Sequence, residues 1–394
     1  MLNLVETIID NEELQEALRR ATAHAFESVK KILASNPQLM EMAREVKEAK
    51  ERVLSHLDHY ISMTVKKLEE RKALVYLASS AAEARGIIGD IVGSGKTIVL
   101  SKSMSAEEIG LRRFLESRGN RVYETDLGQF LVQLEEGKPM HVTAPAVHMT
   151  KEKIAELVAE KLGANLSRQS SPEEIVAVVR RFLRKQFVNA DIGISGANAI
   201  AADTGSIVIL ENEGNIRLVT GLPEKHIVVA GVEKIVPNLI LAVKTAIVQA
   251  AFAGLYPPTY INIISGPSST GDIEHKRVYG AHGPRELHVI LLDNGRRKAL
   301  SDERLREILR CVRCGRCLFE CPVWGHLANH WGGNTYGGPM GILWTAVVED
   351  KREAYPLTLL CLQCKRCSQV CPMSIPLAEL IHDLRKEYVT KAYT

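Results

Sequence analysis

The stretch CVRCGRCLFECP at residues 311–322 recurs with identical cysteine spacing as CLQCKRCSQVCP at residues 361–372. All eight cysteines of the 394-residue chain lie in these two runs, which both read C-x2-C-x2-C-x3-C-P. Bacterial chains bind a [4Fe–4S] cluster with this spacing, because three close thiolates wrap the cluster and a fourth reaches it from elsewhere. The two runs therefore predict two [4Fe–4S] clusters and a role in electron transfer.

The fourth cysteine of each run is expected to serve the other cluster, as in two-cluster ferredoxins. The predicted ligands are Cys311, Cys314, Cys317 and Cys371 for cluster 1, and Cys361, Cys364, Cys367 and Cys321 for cluster 2. Other uses of these cysteines fit poorly. Disulfide frameworks are typical of small secreted chains, and structural zinc usually takes cysteines in pairs rather than in triplets with a proline-flanked fourth.

Composition and charge are those of a globular protein, with 46% hydrophobic and 25% charged residues. A net charge of +3 indicates no polyanionic partner, so nucleic acid is not expected. No apolar run has the length of a transmembrane helix, and the N-terminal sequence lacks the basic region of a signal peptide. Thiolate clusters without an export signal predict a cytoplasmic protein that contacts membranes only through partners.

Three segments of different pattern divide the chain. Residues 1–70 form an N-terminal helical segment, in which residues 11 to about 71 have helical periodicity with a break at Asn36-Pro37 that predicts two long helices. Residues 71–297 alternate short apolar strands with helices, which predicts an α/β domain with a doubly wound, largely parallel sheet. Residues 298–394 carry both cysteine runs. Their wide separation predicts an α-helical two-[4Fe–4S] ferredoxin-type domain, as in fumarate- and succinate-oxidising iron–sulfur subunits.

Seven stretches of residues 101–296 resemble the LUD (lactate-utilisation) domain. They are SKSM at 101–104, EEIGL at 107–111, ETDLGQFLVQL at 124–134, HVTAPAVHMT at 141–150, SGANAIAADTGSIVILENEGN at 195–215, LPEKHIVVAGVEKIVP at 222–237 and HGPRELHVILLDNGR at 282–296. With both cysteine runs behind them, the order is similar to that of the iron–sulfur subunit of the L-lactate-oxidising lactate-utilisation complex. The resemblance implies a fold similar to the ribose-5-phosphate isomerase/CoA-transferase group.

The sequence departs from this resemblance at two places. Longer family members continue into a C-terminal domain, whereas this sequence ends at Thr394. We expect the contacts of that extension to be absent or supplied by another protein. The family motif A-E-T-G is here Ala202–Gly205, in which Asp203 has a side chain one methylene shorter than glutamate.

The resemblance also implies a ligand pocket in the LUD domain. Its candidate residues are Ser101, Lys102, Ser103, His148, Gly196, Ala197, Asn198, Asp203, Thr204, Gly205, Ser206, Ser265 and Gly266. Lys102 is a candidate for neutralising a carboxylate substrate, and His148 for a general base. A solvated lysine, a structural histidine and glycine-rich turns without a ligand are the alternatives. Catalytic residues stay unassigned, because no nucleophile or acid/base pair is identifiable.

By the same resemblance, the chain is expected to be an electron-transfer subunit of a complex that oxidises lactate or a similar 2-hydroxy acid. No flavin or NAD is expected on this chain. The expected partners are a cysteine-rich-domain subunit, a second LUD subunit or a flavin dehydrogenase subunit. Two alternatives stay open. The LUD pocket is itself the oxidation site, or the chain is an electron-transfer subunit of another heterodisulfide-reductase-like or flavin dehydrogenase complex, with the LUD domain as a ligand-binding or docking scaffold.

Overall fold

The computed structural model describes residues 2–393. The chain begins with four helices, α1 Leu2–Ile9, α2 Glu12–Ser35, α3 Gln38–Ser55 and α4 Leu57–Glu70. Asn36 and Pro37 separate α2 from α3, as the sequence predicts. The prediction of a single long helix after Pro37 is wrong. His56 leaves the helical conformation at φ −136° and divides that helix into α3 and α4.

The central region alternates strands and helices. In chain order its elements are β1 Leu74–Ala78, α5 Ala81–Val92, β2 Thr97–Leu100, α6 Met104–Glu108, α7 Leu111–Ser117, β3 Arg121–Glu124, α8 Leu127–Glu135, α9 Lys151–Leu162, α10 Pro172–Val188, β4 Ile192–Ser195, β5 Ala199–Ala201, β6 Ser206–Glu211, α11 Asn215–Gly221, β7 Lys225–Gly231, β8 Ile235–Val236, α12 Leu239–Phe252, β9 Tyr260–Ile264, β10 Ser269–Ile273, β11 Lys276–Tyr279 and β12 Glu286–Leu292.

Six of these strands form a wholly parallel sheet in the order β1-β12-β7-β4-β2-β3. The apolar runs of the four inner strands, β12, β7, β4 and β2, are buried, as is typical of parallel sheets covered on both faces. The predicted α/β class with a parallel sheet is therefore confirmed. A second, mixed sheet of order β8-β5-β6-β9 and the hairpin β10-β11 lie outside the single sheet that the sequence predicts.

The C-terminal region is helical, as predicted. Its α-helices are α13 Arg296–Leu300, α14 Arg316–Phe319, α15 Trp324–Leu327, α16 Gly338–Val348, α17 Lys351–Ala354, α18 Arg366–Gln369 and α19 Leu377–Tyr393. Short 3-10 helices span Val232–Lys234, Leu305–Arg310, Ala328–His330 and Pro356–Leu360. One continuous apolar core joins this region to the N-terminal helices and to α12.

The carboxyl ends of the parallel strands share one edge of the sheet, and the C-terminal region packs against that edge. Ser101 follows β2, Gly196 follows β4 and the turn Val232–Lys234 follows β7. Arg296 begins α13 shortly after β12. Ligands of open α/β sheets bind outside this edge, so the fold places the first cysteine run beside the region where a ligand is expected.

A buried ionic network, here called the Glu233 network, ties the regions together. Its charged members are Lys50, Glu108, Glu233, Arg296 and Arg313. Arg296 is fully buried, pairs with Glu233 and lies 2.8 Å from Glu108. Arg313 Nη2 lies 2.7 Å from Glu233 Oε1, an ion pair whose angle falls short of a hydrogen bond. The ammonium of Lys50 on α3 donates to the Glu233 carbonyl at 2.5 Å.

Glu233 is charged in this setting. Burial alone would raise its pKa, but Arg296 and Arg313 outweigh that effect and hold the pKa well below the usual range. Breaking one side of a buried ion pair is costly, because the remaining charge is left without a partner in a poorly solvated site.

We predict that Arg296→Met destabilises the protein by about 3–5 kcal/mol, because it leaves the buried Glu108 carboxylate without its ion-pair partner and removes one of the two arginines that pair with Glu233. The matched control is Arg297→Met, whose arginine is half-exposed and pairs with Asp58 on the surface; we expect a loss of about 1 kcal/mol or less. Thermal unfolding monitored by circular dichroism measures both variants. Equal unfolding temperatures would show that the network is not what holds the regions together.

Candidate functional site

The eight cysteines line two small cavities in the C-terminal region. One cavity is lined by Cys311, Cys314, Cys317 and Cys371, the other by Cys321, Cys361, Cys364 and Cys367. Each group combines three cysteines of one run with the fourth cysteine of the other, and all eight thiols are free of disulfides. Apolar side chains and backbone supply most of the other lining. Four sulfurs around such a cavity are a donor set that fits a [4Fe–4S] cluster.

The two runs repeat one backbone conformation. Arg313 and Gln363, each just before the second cysteine, have φ of 58° and 56°; Gly315 and Lys365, each just after it, have φ of 77° and 64°. The left-handed residues bend each run around its cavity, and non-glycine residues adopt this conformation only where the surroundings enforce it. The Arg313 N–H lies 3.3 Å from Cys311 Sγ, an N–H···S contact of the kind that tunes cluster potentials.

Burial raises the pKa of six of the cysteine thiols, namely Cys314, Cys317, Cys321, Cys361, Cys367 and Cys371. It raises the pKa of Cys321 and Cys367 to about 12 and that of Cys371 to about 11. A thiolate without a counter-charge is unfavourable at such positions, so deprotonation requires the positive charge that bound iron supplies.

A buried histidine of the α/β domain holds the first run in place. The N–H groups of Thr143 and Ala144 donate to His141 Nδ1, so Nε2 carries the proton and donates to the Gly315 carbonyl at 3.2 Å. Burial lowers the pKa of His141 to about 3, which keeps the ring neutral. The ring also stacks on Phe319 with centroids 3.9 Å apart.

A larger cavity of about 360 Å³ opens at the carboxyl edge of the parallel sheet. Six of the candidate pocket residues line it, namely Ser101, Lys102, Ser103, Gly196, Ala197 and Asn198. They meet there because β2 and β4 are neighbours in the sheet. Gly196 is needed for this approach, since a Cβ at that position would lie 2.6 Å from Ser103 Oγ.

The other candidate residues lie away from this cavity. His148 Nε2 lies 3.1 Å from Glu135 Oε2, and neither residue lines the cavity. Asp203 and Thr204 are in the turn between β5 and β6, where Asp203 is exposed. The Ser206 and Ser265 hydroxyls bond each other at 2.6 Å, while Gly205 and Gly266 pack against the backbone of residues 67–71.

Several cavity residues were not foreseen from the sequence. They include Asp126, Glu211, Glu213, Lys234, Gln249 and Arg313. Asp126 follows β3 and Lys234 follows β7. Because ligands bind outside the carboxyl ends of the strands, these positions indicate cavity residues once the strand order is known. Arg313 belongs to the first cysteine run, and nothing in its local sequence predicts that it lines a cavity of the LUD domain.

The charge of Lys102 is already balanced by the protein. Its Nζ lies 3.0 Å from Asp126 Oδ2 and 3.1 Å from the Thr143 carbonyl. At the mouth of the cavity, partial burial of the Glu213 carboxyl and the nearby Asp126 raise the pKa of Glu213. The cavity therefore holds one internal ion pair and an acidic mouth.

The loop that carries the first cysteines forms part of the cavity wall. Arg313 lies between Cys311 and Cys314 and lines the cavity. Asn198 Nδ2 donates to Gln249 Oε1 at 2.7 Å, and Gln249 Nε2 reaches the Arg313 carbonyl at 3.5 Å. A ligand in the cavity and a cluster on the first cysteine group would thus be separated by a single loop.

Comparison with protein families matches residues 61–292 to the LUD domain and residues 307–375 to the 4Fe-4S dicluster domain. The chain belongs to the LUD-domain family. It joins a LUD domain to a 4Fe-4S dicluster domain, as the sequence resemblance predicts. No helix among residues 2–393 is long and apolar enough to cross a membrane.

Three curated relatives are similar to this LUD protein over 87–97% of its length and 70–79% of their own. Lactate utilization protein B of Bacillus licheniformis is 36% identical over 391 residues, covering 97% of this chain and 79% of its own. Lactate utilization protein B of Bacillus subtilis is 38% identical over 348 residues, covering 87% and 70%. The uncharacterized electron transport protein YkgF of Escherichia coli is 33% identical, covering 96% and 78%.

We predict that Gly315→Ala destabilises the protein by about 1–3 kcal/mol and lowers its iron content. The substitution places a Cβ at φ 77° and 2.5 Å from the His141 ring. The matched control is Lys365→Ala, at the equivalent position of the second run, where a side chain is already accommodated at φ 64°. Thermal unfolding and iron analysis measure both. A Gly315→Ala protein as stable and iron-rich as the control would refute the role of this contact.

Proposed function

We propose that this chain is the iron–sulfur electron-transfer subunit of a complex that oxidises lactate or a related 2-hydroxy acid. The observation that carries the proposal is the shared loop: Arg313 lines the LUD-domain cavity and lies between two cysteines of the first group. The names of the Bacillus relatives support lactate as the substrate. When bound, the clusters supply one-electron transfer.

In this proposal the first cysteine group, with Cys371, holds cluster 1, and the second group, with Cys321, holds cluster 2. The chain then divides into a helical support at residues 1–70, the LUD domain at residues 71–297 and the cluster domain at residues 298–394. Cluster 1 faces the cavity through the Arg313 loop. The second group lies nearer the surface, because Cys364 is exposed and its neighbour Leu362 is 67% exposed.

The exposed face beside Cys364 is the side on which a redox partner would meet cluster 2. Lactate oxidation releases two electrons and two protons, whereas each cluster carries one electron. We therefore place the two-electron chemistry in a partner that holds a flavin or comparable cofactor. Within this chain, the ligand-facing wall of the cavity consists of Ser101, Lys102, Ser103, Gly196, Ala197 and Asn198.

We predict roughly eight iron and eight sulfide per chain in anaerobically purified protein, because each cubane holds four of each. Cys321→Ala should then alter the EPR signal of the cluster held by the second run, and Cys371→Ala that of the cluster held by the first. Each variant is the control for the other. Iron near four per chain, bound zinc, or loss of the cluster in the same run as the substitution would contradict the assignment.

We expect the purified chain alone to be a poor lactate dehydrogenase toward an artificial electron acceptor. Activity should appear when partner subunits of the complex are added, because the single-electron clusters cannot take both electrons in one step. The Cys364→Ala chain with the same partners serves as the control for the route through cluster 2. Rapid turnover by the isolated chain would instead make the LUD cavity the oxidation site.

A further inference from the structure

We propose that Lys234, together with the hydroxyls of Ser101 and Ser105, forms the anchoring site for a small monoanionic hydroxycarboxylate in the LUD-domain cavity. The site deepens the proposed function, on which its substrate class rests. Neither Lys234 nor Ser105 is distinguished by the local sequence. Both owe their place to the carboxyl edge of the sheet, after β7 and β2 respectively.

Lys234 is the cation of the cavity that the protein leaves unbalanced. It lines the cavity and is half-buried. Its ammonium makes no hydrogen bond or ion pair with any residue in the described part of the chain, whereas Lys102 is paired with Asp126. An unpaired ammonium in a poorly solvated place is unfavourable, and a ligand carboxylate would relieve that cost.

The surroundings of Lys234 carry excess positive charge. Four basic side chains lie here against two carboxylates; the basic ones are Lys50, Lys234, Arg296 and Arg313, and the carboxylates are Glu108 and Glu233. Burial and the nearby Arg313 lower the pKa of Lys234 to about 7, and a bound carboxylate would favour its charged form. The excess of cations explains why an anion is favoured at this wall. It also offers a competing role, since the same charge could instead balance the thiolates of the first cysteine group, and the experiment below separates the two.

The side-chain hydroxyls of two serines near Lys102 in the sequence lack hydrogen-bond partners among the described residues. Ser101 and Ser105 line the cavity, and the hydroxyl of each is buried with no partner among the described residues. A buried polar group without a partner costs free energy. A ligand oxygen in the cavity would supply the missing partner after a rotation about one side-chain torsion.

The remaining walls select the class of anion. Glu211 is neutralised by Arg217 at 3.0 Å. Glu213 at the mouth has a pKa raised to about 7 by burial and Asp126, so its partial negative charge opposes a doubly charged ligand such as phosphate more than a singly charged one. Asn198 Nδ2 uses one of its two N–H groups on Gln249 and has a second to donate to a ligand hydroxyl. A singly charged carboxylate with a hydroxyl therefore fits better than a dianion. A volume of about 360 Å³ lies at the small end of ligand pockets.

Isothermal titration calorimetry of the cluster-loaded full chain with L-lactate, D-lactate, propionate, lactamide and inorganic phosphate tests the site. Wild-type protein should bind one lactate enantiomer more tightly than propionate, and lactamide and phosphate more weakly still. Lys234→Met should weaken lactate binding about tenfold or more, while Lys234→Arg retains most of it. Lys225→Met is the control, because Lys225 pairs with Glu286 outside the cavity.

Iron content and thermal unfolding of every variant accompany the titrations. Unchanged lactate affinity in a folded Lys234→Met protein would overturn the site, as would tighter binding of phosphate or no carboxylate binding by the wild type. Lower iron content with unchanged affinity would assign Lys234 to the cluster instead. The relay is judged separately by cluster reduction in the assembled complex, so failure of the binding site and failure of the electron-transfer role give different results.

Discussion

The buried pairing of Glu233 with Arg296 and Arg313 is the interaction on which the arrangement of this protein depends. Glu233 lies in the turn after β7, and Arg296 is the first residue of α13, the helix that follows β12. Arg313 lies within the first cysteine run. Lys50 on α3 connects the N-terminal helices to this pairing through its hydrogen bond to the Glu233 carbonyl. Since charges buried this deeply are tolerated only when they are paired, the network fixes the cysteine loop against one edge of the sheet.

That constraint gives the two halves of the chain a common site. The LUD domain contributes the ends of neighbouring parallel strands, and the dicluster domain contributes the Arg313 loop that closes the cavity. His141 supports the same loop from the other side through the Gly315 carbonyl. A cavity next to one cysteine group, with the other group near the surface, is an arrangement suited to passing electrons between a ligand or partner on one side and a partner on the other.

The sequence predicts some of this arrangement well and some of it not at all. The spacing of the cysteines reports local chemistry, and the apolar runs report buried parallel strands, so the dicluster domain and the α/β class follow directly. The cavity depends on strand order instead. Lys102 and Gly196 are neighbours because β2 pairs with β4, whereas Asp203 lies in the turn of a second sheet that periodicity does not separate from the first. Lys234 and Arg313 reach the cavity only through contacts between distant segments.

The measurement that tests the central claim most directly is electron–nuclear double resonance on the singly reduced, cluster-loaded chain with ¹³C-labelled lactate. The claim is that the Glu233 network holds the ligand cavity beside cluster 1. The predicted result is ¹³C hyperfine coupling on the EPR signal that Cys371→Ala alters, and its loss in Lys234→Met. Coupling on the signal that Cys321→Ala alters, or no coupling at saturating lactate, would contradict the claim.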